Sequence, residues 1–394
     1  MLEIKLAFKN LLGAGLRTWL NVIVLSIAFV IILFYNGMLD GWNEQARRDT
    51  CEWEIGSGEI RHPLFDPYDP YCYQDAHKAI DADLQKLINA GEITPILVTQ
   101  ASIYPQGRMQ NIVLKGISPD QKLLKLPSDK LNGGDGDIKA IIGHRMANAS
   151  NLKIGDRLMV RWRDVQGAFD AKEIVIADIF RSNVPAIDAA QIWVSIDVLQ
   201  EICVMPNEAT YFVVNDEYLK THREALAPNG WKFASKELLL KDLNDVIKSK
   251  KASSGIMYGL LLAIALLAIF DTQVLSIFRR QKEIGTYIAL GMTRFKVVRI
   301  FTFEGTAHSI LAILLGSIYG TPVLSYFVRA GIPMPSSVDQ TGLAISASIY
   351  PVFSLGLIVS SILLVVISAM IVSYIPTRKI TKLNPTDAIK GKIL

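Results

Sequence analysis

Four long runs with almost no charge constrain the fold of this chain more than any other feature of its sequence. They lie at 18–39, 253–278, 305–328 and within 345–375, and Asp271 is the one charged residue among them. A helix needs about 20 residues to cross the roughly 30 Å of hydrocarbon in a bilayer, and each run is long enough. We therefore predict a membrane α-helical protein with four transmembrane helices.

The composition agrees with a membrane protein that also has a sizeable water-exposed part. Hydrophobic residues make up 51% of the 394 residues, charged residues only 20%, and the mean hydropathy is +0.30. A water-soluble domain normally carries more charge than this. The net charge of +4 is too small to indicate nucleic-acid binding, and no nucleic-acid partner is expected. The first run lacks the Ala-x-Ala-like site of a cleaved signal peptide, which favours a true membrane span.

Basic residues flanking the runs predict the orientation, because short cytoplasmic loops are enriched in Lys and Arg. Three basic residues precede the first run, six lie between the second and third, and five follow the fourth. The loop between the third and fourth runs has only Arg329, with Asp339. We predict that both termini are cytoplasmic and that the segment between the first two runs is extracytoplasmic.

The predicted domain organisation follows from these runs. In chain order it is a cytoplasmic amphipathic helix at 1–17, membrane helix 18–41, a large α+β extracytoplasmic domain at 42–252, membrane helix 253–278, a cytoplasmic coupling helix at 279–300, membrane helix 301–328, a short external loop at 329–344, membrane helix 345–375 and a cytoplasmic tail at 376–394. An alternative for 1–17 is an extension of the first span. Helical residues at 235–251 are expected to continue directly into the second span.

Motifs of enzyme chemistry are missing from the sequence. There is no GxxxxGK[ST] phosphate loop, no HExxH and no GxSxG, so we predict neither ATP binding by this chain, nor a metal site, nor a catalytic site. Cys51 and Cys72 both fall in the external part and are candidates for a disulfide. Cys203 is expected to be a small buried hydrophobic residue. Within the membrane, Asp271 and His308 are the predicted polar residues, and His308 is a candidate partner of Asp271.

The stretch 271–291 reads DTQVLSIFRRQKEIGTYIALG and resembles the motif with which the second span ends in FtsX-like permeases of ABC transporters. The resemblance extends to Glu304-Gly305, to IGHRMA with LKIGD at 142–156, and to the tail at 375–389. It is strongest to the lipoprotein-releasing branch and implies a MacB-like periplasmic core domain. Asp271 and Arg279 depart from the family, which usually has Asn and Glu there.

The resemblance implies how such a chain would work. Family members pair as two permease subunits with a cytoplasmic ABC ATPase dimer, which binds ATP and Mg, and the external domains are moved by mechanotransmission through the short cytoplasmic helix. The chain would lie in the bacterial inner membrane, together with a second, identical or different, permease subunit and a periplasmic lipoprotein carrier or adaptor. The residues expected to contact the ATPase are Arg280, Lys282, Glu283, Ile284, Gly285, Ala289, Leu290, Gly291 and Arg294. The alternative for this segment is a basic loop that meets anionic lipid.

A lipoprotein-releasing permease would hold acyl chains, and we expect a cavity between the first and second spans. Candidates for its outer end are Phe34, Met38, Met257 and Leu261. Two alternatives keep the fold: an exporter of peptides or drugs of the macrolide-exporter type, and a non-transport regulator of cell-wall hydrolases of the cell-division type. The former usually carries a fused N-terminal ATPase, which this sequence does not show. A membrane-anchored external enzyme has no support in the sequence.

Overall fold

The computed structural model describes residues 16–133, 136–221, 230–334 and 348–382. These residues form two compact units. The helical unit contains the chain up to Trp42, then 246–332, then the chain from Ile349 onwards, and the mixed α and β unit contains 43–245 and 333–348. Residues 1–15 of the predicted amphipathic helix at 1–17 and most of the predicted tail lie outside the described residues.

Four helices of the described chain are long and apolar enough to cross a membrane. We call them the first to fourth membrane helices, and they span Leu16–Thr50, Lys241–Arg279, Arg294–Ala330 and Leu355–Thr377. The first three have 35, 39 and 37 residues. These lengths exceed the roughly 20 residues that a span needs, so each helix continues well beyond a single hydrocarbon crossing.

The fourth membrane helix begins ten residues after the predicted start at 345. Its N-cap is Ser354, whose hydroxyl oxygen accepts a hydrogen bond from the Leu357 N–H at 3.2 Å. Pro351 precedes the cap, and a proline both lacks an N–H and disfavours helical backbone in the residue before it. The predicted boundary was wrong because a run without charge carries no information on where its helix starts.

The third membrane helix also begins earlier than the predicted residue 301. Thr293 caps it by accepting a hydrogen bond from the Lys296 N–H at 3.4 Å, and the helix starts at Arg294. The predicted coupling helix at 279–300 is therefore three pieces. They are the end of the second membrane helix, a separate helix at Gln281–Ala289, which we call the connecting helix, and the first turns of the third membrane helix.

Small residues bring the membrane helices close together. At Gly305, on the third membrane helix, an added Cβ would lie 2.2 Å from the Ser373 hydroxyl oxygen on the fourth. At Gly320, one would lie 2.9 Å from a methyl carbon of Val30 on the first. Helices in a membrane associate mainly by such close backbone approach, because lipid is as apolar as the side chains.

The mixed unit is built on a nine-stranded sheet with the strand order β11-β1-β10-β3-β4-β8-β5-β7-β6. Its strands are β1 Gly58–Arg61, β3 Ile93–Ile103, β4 Gln110–Ile117, β5 Ile138–Gly143, β6 Arg157–Arg163, β7 Phe169–Phe180, β8 Gln191–Ser195, β10 Tyr211–Val214 and β11 Lys232–Ser235. Short strands β2 Lys78–Ala79 and β9 Glu208–Ala209 pair separately, as do β12 Ile332–Pro333 and β13 Ser348–Ile349. The helices are α1 Ala82–Asn89, α2 His144–Ser150, α3 Pro185–Ala190, α4 Ile196–Ile202, α5 Asp216–Thr221 and α6 Lys236–Leu239.

Six of the nine strands close into a ring, because β3 pairs with β6 as well as with β4. The pairs β4–β8 and β5–β7 are parallel, and the other pairs of the ring are antiparallel. Side chains from all six strands, including Leu114, Ile142 and Trp162, belong to one buried apolar cluster. Closure removes exposed strand edges, which would otherwise pair with other chains.

Candidate functional site

The chain between the second and third membrane helices turns back through the connecting helix. Arg280 interrupts the helical backbone, with φ −104° and ψ 21°, and the connecting helix then runs for nine residues. Gly291 follows it with φ +91°, a conformation that residues with a Cβ rarely adopt. The glycine permits the sharp end that lets Thr293 start the next helix.

One face of the connecting helix is buried against this chain itself. Ile284 has no exposed surface, and Gly285 beside it is buried. Ile284 belongs to an apolar cluster with Ile277, Val297, Val298, Phe301 and Ile380. Ile284, which we predicted to contact an ATPase, thus packs within its own chain. The position of Ile284 among charged residues in the sequence could not show that the third membrane helix covers this side of the connecting helix.

Arg280 also faces inward, into a network within the chain. Its Nη1 donates to Glu304 Oε2 at 2.9 Å, and its Nε donates to Glu283 Oε2 at 2.7 Å. Its guanidinium carbon lies 4.9 Å from the centre of the Phe301 ring. Arg280 and Glu283, which we expected to pair with an ATPase, thus pair with each other, and Arg280 ties the connecting helix to the third membrane helix.

The opposite face presents apolar and basic side chains together. Leu290 is 81% exposed and Phe295 is 65% exposed. Other exposed residues of this segment include Lys282, Glu283, Ala289, Gly291, Arg294 and Lys296. We call this set, with Leu290 and Phe295, the outer face. Of the nine predicted contact residues, Lys282, Glu283, Ala289, Leu290, Gly291 and Arg294 lie on it.

Phe295 is the outer-face residue that sequence reasoning missed. The signal was present in the spacing of the residues after Thr293, because Val297, Val298 and Phe301 repeat at helical intervals and form the buried side. Phe295 lies off that stripe, so a large apolar residue is left on the exposed side of a helix N-terminus.

The predicted acyl cavity between the first and second membrane helices stays a prediction, and its four candidate residues have different surroundings. Those helices pack directly, with the Tyr35 and Tyr258 rings 5.6 Å apart and Asn21 donating to Thr272 Oγ1 at 2.6 Å. Phe34 instead lies 5.1 Å from the ring of Phe327 on the third membrane helix. Leu261 packs on the apolar core of the bundle, Met38 is half-buried and Met257 is 50% exposed. None of the four candidates lines the apolar cavity that the first, third and fourth membrane helices enclose.

Asp271 and His308 do not pair. Asp271 is exposed on the second membrane helix, in a surface pocket with Asn21 and Thr272. His308 is buried on the third, and its Nδ1 lies 3.1 Å from the Glu304 carbonyl oxygen. The prediction was wrong because a helical period of 3.6 residues turns Asp271 away from the bundle.

Gln273, two residues after Asp271, is the polar residue that points inward. It is almost fully buried, and its Cδ lies 3.1 Å from the position of a Cβ at Gly305. Ser373 meets Gly305 from the fourth membrane helix. Three membrane helices therefore meet at Gly305, the residue directly after Glu304, which bonds Arg280.

Cys51 and Cys72, the candidates for a disulfide, are free thiols in different surroundings. Cys51 lines a polar cavity of about 510 Å³ together with Lys236, whereas the Cys72 Sγ donates to the Asp66 carbonyl oxygen at 3.3 Å. The candidate disulfide is thus not formed. Cys203 is fully buried, as predicted. Within the described part of the chain, no group of three or more His, Cys, Asp or Glu residues could hold a metal ion.

Comparison with known families places the connecting helix inside a recognised domain. Residues 255–385 match the FtsX-like permease C-terminal family. The matched stretch contains most of the second membrane helix, the connecting helix with its outer face, and the third and fourth membrane helices.

Three curated relatives carry one name, the lipoprotein-releasing system transmembrane protein LolC. The protein from Haemophilus influenzae is 20% identical over 385 residues, which cover 94% of this chain and 92% of the relative. Two further relatives come from Xylella fastidiosa. One is 23% identical and the match covers 54% of this chain and 56% of the relative. The other is 21% identical and the match covers 72% of this chain and 74% of the relative. The chain therefore contains an FtsX-like permease domain together with four helices long and apolar enough to cross a membrane, and it is similar to LolC over most of its length.

Proposed function

We propose that this chain is the permease subunit of an ABC complex that releases lipoproteins from the inner membrane, and that its outer face binds the cytoplasmic ATPase. The observation that carries the docking proposal is the pair of exposed apolar side chains, Leu290 and Phe295, set among basic residues. The apolar side chains would be buried in a groove of the partner, and Lys282, Arg294 and Lys296 would face acidic residues at its rim.

Two large exposed apolar side chains within six residues of each other in sequence favour a protein partner over a lipid surface. Large apolar residues grouped on a surface with a polar rim are typical of protein–protein contacts. The connecting helix adds a rigid support, because Ile284 and Arg280 attach its other face to this chain. A preformed surface loses little conformational freedom on binding, which favours affinity.

The same attachments support mechanotransmission. A displacement of the connecting helix acts on the third membrane helix through the Arg280–Glu304 ion pair. It also acts on the second membrane helix, which ends next to Arg280 and runs without a break from Lys241, inside the mixed unit. A rigid helix with this connectivity is the kind of element along which a coupling free energy is carried.

The remaining parts of the proposal concern location and partners. The basic flanks favour cytoplasmic termini and a periplasmic mixed unit of MacB-like type. ATP and Mg would be bound by the ATPase dimer, and this chain would add no cofactor of its own. A second permease subunit completes the complex, and a periplasmic carrier or adaptor would receive the substrate.

Docking is tested by co-purification. The double change Leu290→Asp with Phe295→Asp places two charges on the outer face, and we expect the ATPase no longer to co-purify with the tagged, full-length chain. The matched control is Leu64→Asp with Phe169→Asp, which alters two similarly exposed residues of the mixed unit. Undiminished co-purification in the first variant would contradict the docking proposal and favour contact of this face with anionic lipid.

The substrate is tested with the reconstituted complex. Vesicles containing this chain, its permease partner, the ATPase and a triacylated lipoprotein should release the lipoprotein to a soluble acceptor only when ATP is present. The same assay with an unacylated peptide of identical sequence is the control. Equal release of both substrates would favour a peptide exporter, and ATP hydrolysis without any release would favour a regulator of cell-wall hydrolases.

A further inference from the structure

An apolar cavity of about 440 Å³ lies among the first, third and fourth membrane helices. Its walls include Phe29 and Leu33 of the first, Thr321 and Leu324 of the third, and Ile362 of the fourth. The volume falls within the range of roughly 300–1,000 Å³ that small-molecule sites occupy. The cavity is distinct from the predicted acyl site, since none of Phe34, Met38, Met257 and Leu261 lines it.

Two glycines beside the cavity let the third membrane helix approach the first. Gly316 and Gly320 line the cavity one turn apart on the third membrane helix, and positions that far apart share a helix face. A Cβ at either position would already touch Val30 of the first membrane helix, at 3.3 Å and 2.9 Å. The two backbones therefore approach closely at the glycines, and the space beside them is left unfilled.

The interior offers very little to a polar ligand. The Ser317 hydroxyl donates to the Ile313 carbonyl oxygen and the Thr321 hydroxyl donates to the Ser317 carbonyl oxygen, each at 2.7 Å. Both hydroxyls are thus used within their own helix. Ser325 adds the third hydroxyl of an otherwise mainly apolar lining. Such a lining favours hydrocarbon over water, and in a membrane hydrocarbon is the available filling.

One charge stands at an end of the cavity. Arg329, in the last turn of the third membrane helix, is the only charged residue among the described residues that line the cavity, and it is exposed. An arginine at a helix end near the membrane interface is placed to pair with a phosphate group rather than with a hydrocarbon chain.

We propose that this cavity holds one acyl chain of an anionic phospholipid, whose phosphate pairs with Arg329. The apolar walls accept the hydrocarbon, and the single guanidinium selects the negatively charged headgroup. In the orientation given above, this lipid belongs to the outer leaflet of the inner membrane. Its role is that of a resident lipid between three helices, separate from ATPase docking and from substrate release.

The test uses the purified full-length chain in phosphatidylethanolamine vesicles. A trace of phosphatidylglycerol or phosphatidylcholine carries a photoreactive diazirine near the end of one acyl chain, and labelled peptides are identified by mass spectrometry. We expect the phosphatidylglycerol probe to label wall residues such as Leu324 and Ile362 about fivefold more than the phosphatidylcholine probe, the effect of one basic residue near an anionic headgroup.

Four variants make the result specific to the cavity. Thr321→Phe fills the space and should abolish labelling of the wall, whereas Ile318→Phe, at a 75% exposed position outside the cavity lining, should leave it unchanged. Arg329→Gln should remove the preference for phosphatidylglycerol while labelling persists, and Arg329→Lys should retain the preference. Gel filtration and thermal unfolding establish that each variant is folded.

Three results would overturn the proposal. Equal labelling by both probes in the unaltered chain would show that the cavity does not select the anionic headgroup. If the wall is still labelled in Thr321→Phe, the probe reports only the bulk lipid that surrounds any membrane protein and not a lipid inside the cavity. Displacement of the probe by a triacylated peptide, but not by excess phosphatidylglycerol, would make the cavity a substrate site. None of these measurements requires the ATPase, so failure here leaves the proposed function intact.

Discussion

Arg280 Nη1 lies 2.9 Å from Glu304 Oε2, and this ion pair joins the start of the connecting helix to the third membrane helix. The Glu304 side chain is only 8% exposed, so the pair is largely shielded from water. Arg280 also bonds Glu283 on the connecting helix itself. The connecting helix is therefore fixed to the bundle by a charged contact and by the apolar contacts of Ile284.

Removing one partner of this pair should destabilise the protein. Arg280→Ala leaves the shielded Glu304 carboxylate without this cation, and we expect a loss of about 2 kcal/mol in the free energy of unfolding, the scale of hydrogen bonds to charged groups. The measurement is thermal or denaturant unfolding of the full-length chain in detergent. Arg280→Ala with Glu304→Ala should cost less than the sum of the two single changes.

The control for this prediction is Lys282→Ala, which removes a neighbouring but exposed charge and should change stability little. Additive losses in the double variant would show that the two side chains do not interact in solution, contrary to the structure.

Gly305 gives a second prediction, based on space alone. A Cβ there would lie 2.2 Å from the Ser373 Oγ and 2.5 Å from its Cβ, so Gly305→Ala forces the third and fourth membrane helices apart. Overpacking of this kind typically costs about 1–3 kcal/mol. Unfolding in detergent should show the loss, and the second change Ser373→Gly should recover most of it.

Gly255 and Gly259 supply matched controls on the second membrane helix. Neither would bring a Cβ within 4 Å of another residue, and alanine is a better helix former than glycine. Gly259→Ala should therefore keep or slightly raise the stability. A loss as large as that of Gly305→Ala would mean that any alanine in these helices is harmful, and the argument from close packing would fail.

The two faces of the connecting helix should respond differently to the same substitution. Ile284→Asp buries a carboxylate in an apolar cluster, which is strongly unfavourable, so we expect poor folding and little protein in the membrane. Leu290→Asp changes an exposed residue and should leave expression and unfolding temperature unchanged. Quantitative immunoblotting of membranes and thermal unfolding measure the two effects. Equal tolerance of both changes would contradict the assignment of the buried face.

The four membrane helices and the segment between the second and third could be predicted because charge and hydropathy act locally. A run such as 253–278 is a helix in lipid whatever surrounds it, because a single segment can satisfy its own backbone hydrogen bonds there only as a helix. The direction in which each side chain points depends on the neighbouring helices, and the sequence does not record it. Ile284 was therefore assigned to a partner, although its own chain covers it.

The same limit explains the errors inside the bundle. Asp271 was predicted to be a polar residue inside the bundle because it is an acid in an apolar run, yet Gln273 is the residue that faces the third and fourth membrane helices. The acyl cavity was expected between the first and second membrane helices, whereas the apolar cavity of about 440 Å³ lies among the first, third and fourth, beside Gly316 and Gly320. Both outcomes depend on helix rotation and contact, which long-range packing determines.

The last prediction concerns the three thiols. Burial raises the pKa of the Cys203 thiol to about 12. At pH 8 only about one molecule in ten thousand would carry the reactive thiolate there. A maleimide should therefore modify Cys203 only after unfolding. Burial raises the pKa of the Cys51 and Cys72 thiols as well, but both keep some exposure and should react slowly in the folded protein.

Mass spectrometry before and after addition of denaturant counts the modified thiols. Because Cys51 and Cys72 are separate in the structure, Cys51→Ser and Cys72→Ser should each leave the unfolding temperature and the mobility on a non-reducing gel unchanged. The opposite result would be a shift in gel mobility of the unaltered chain that a reductant reverses and that either single change abolishes. It would show that the two cysteines form a disulfide, contrary to the free thiols described above.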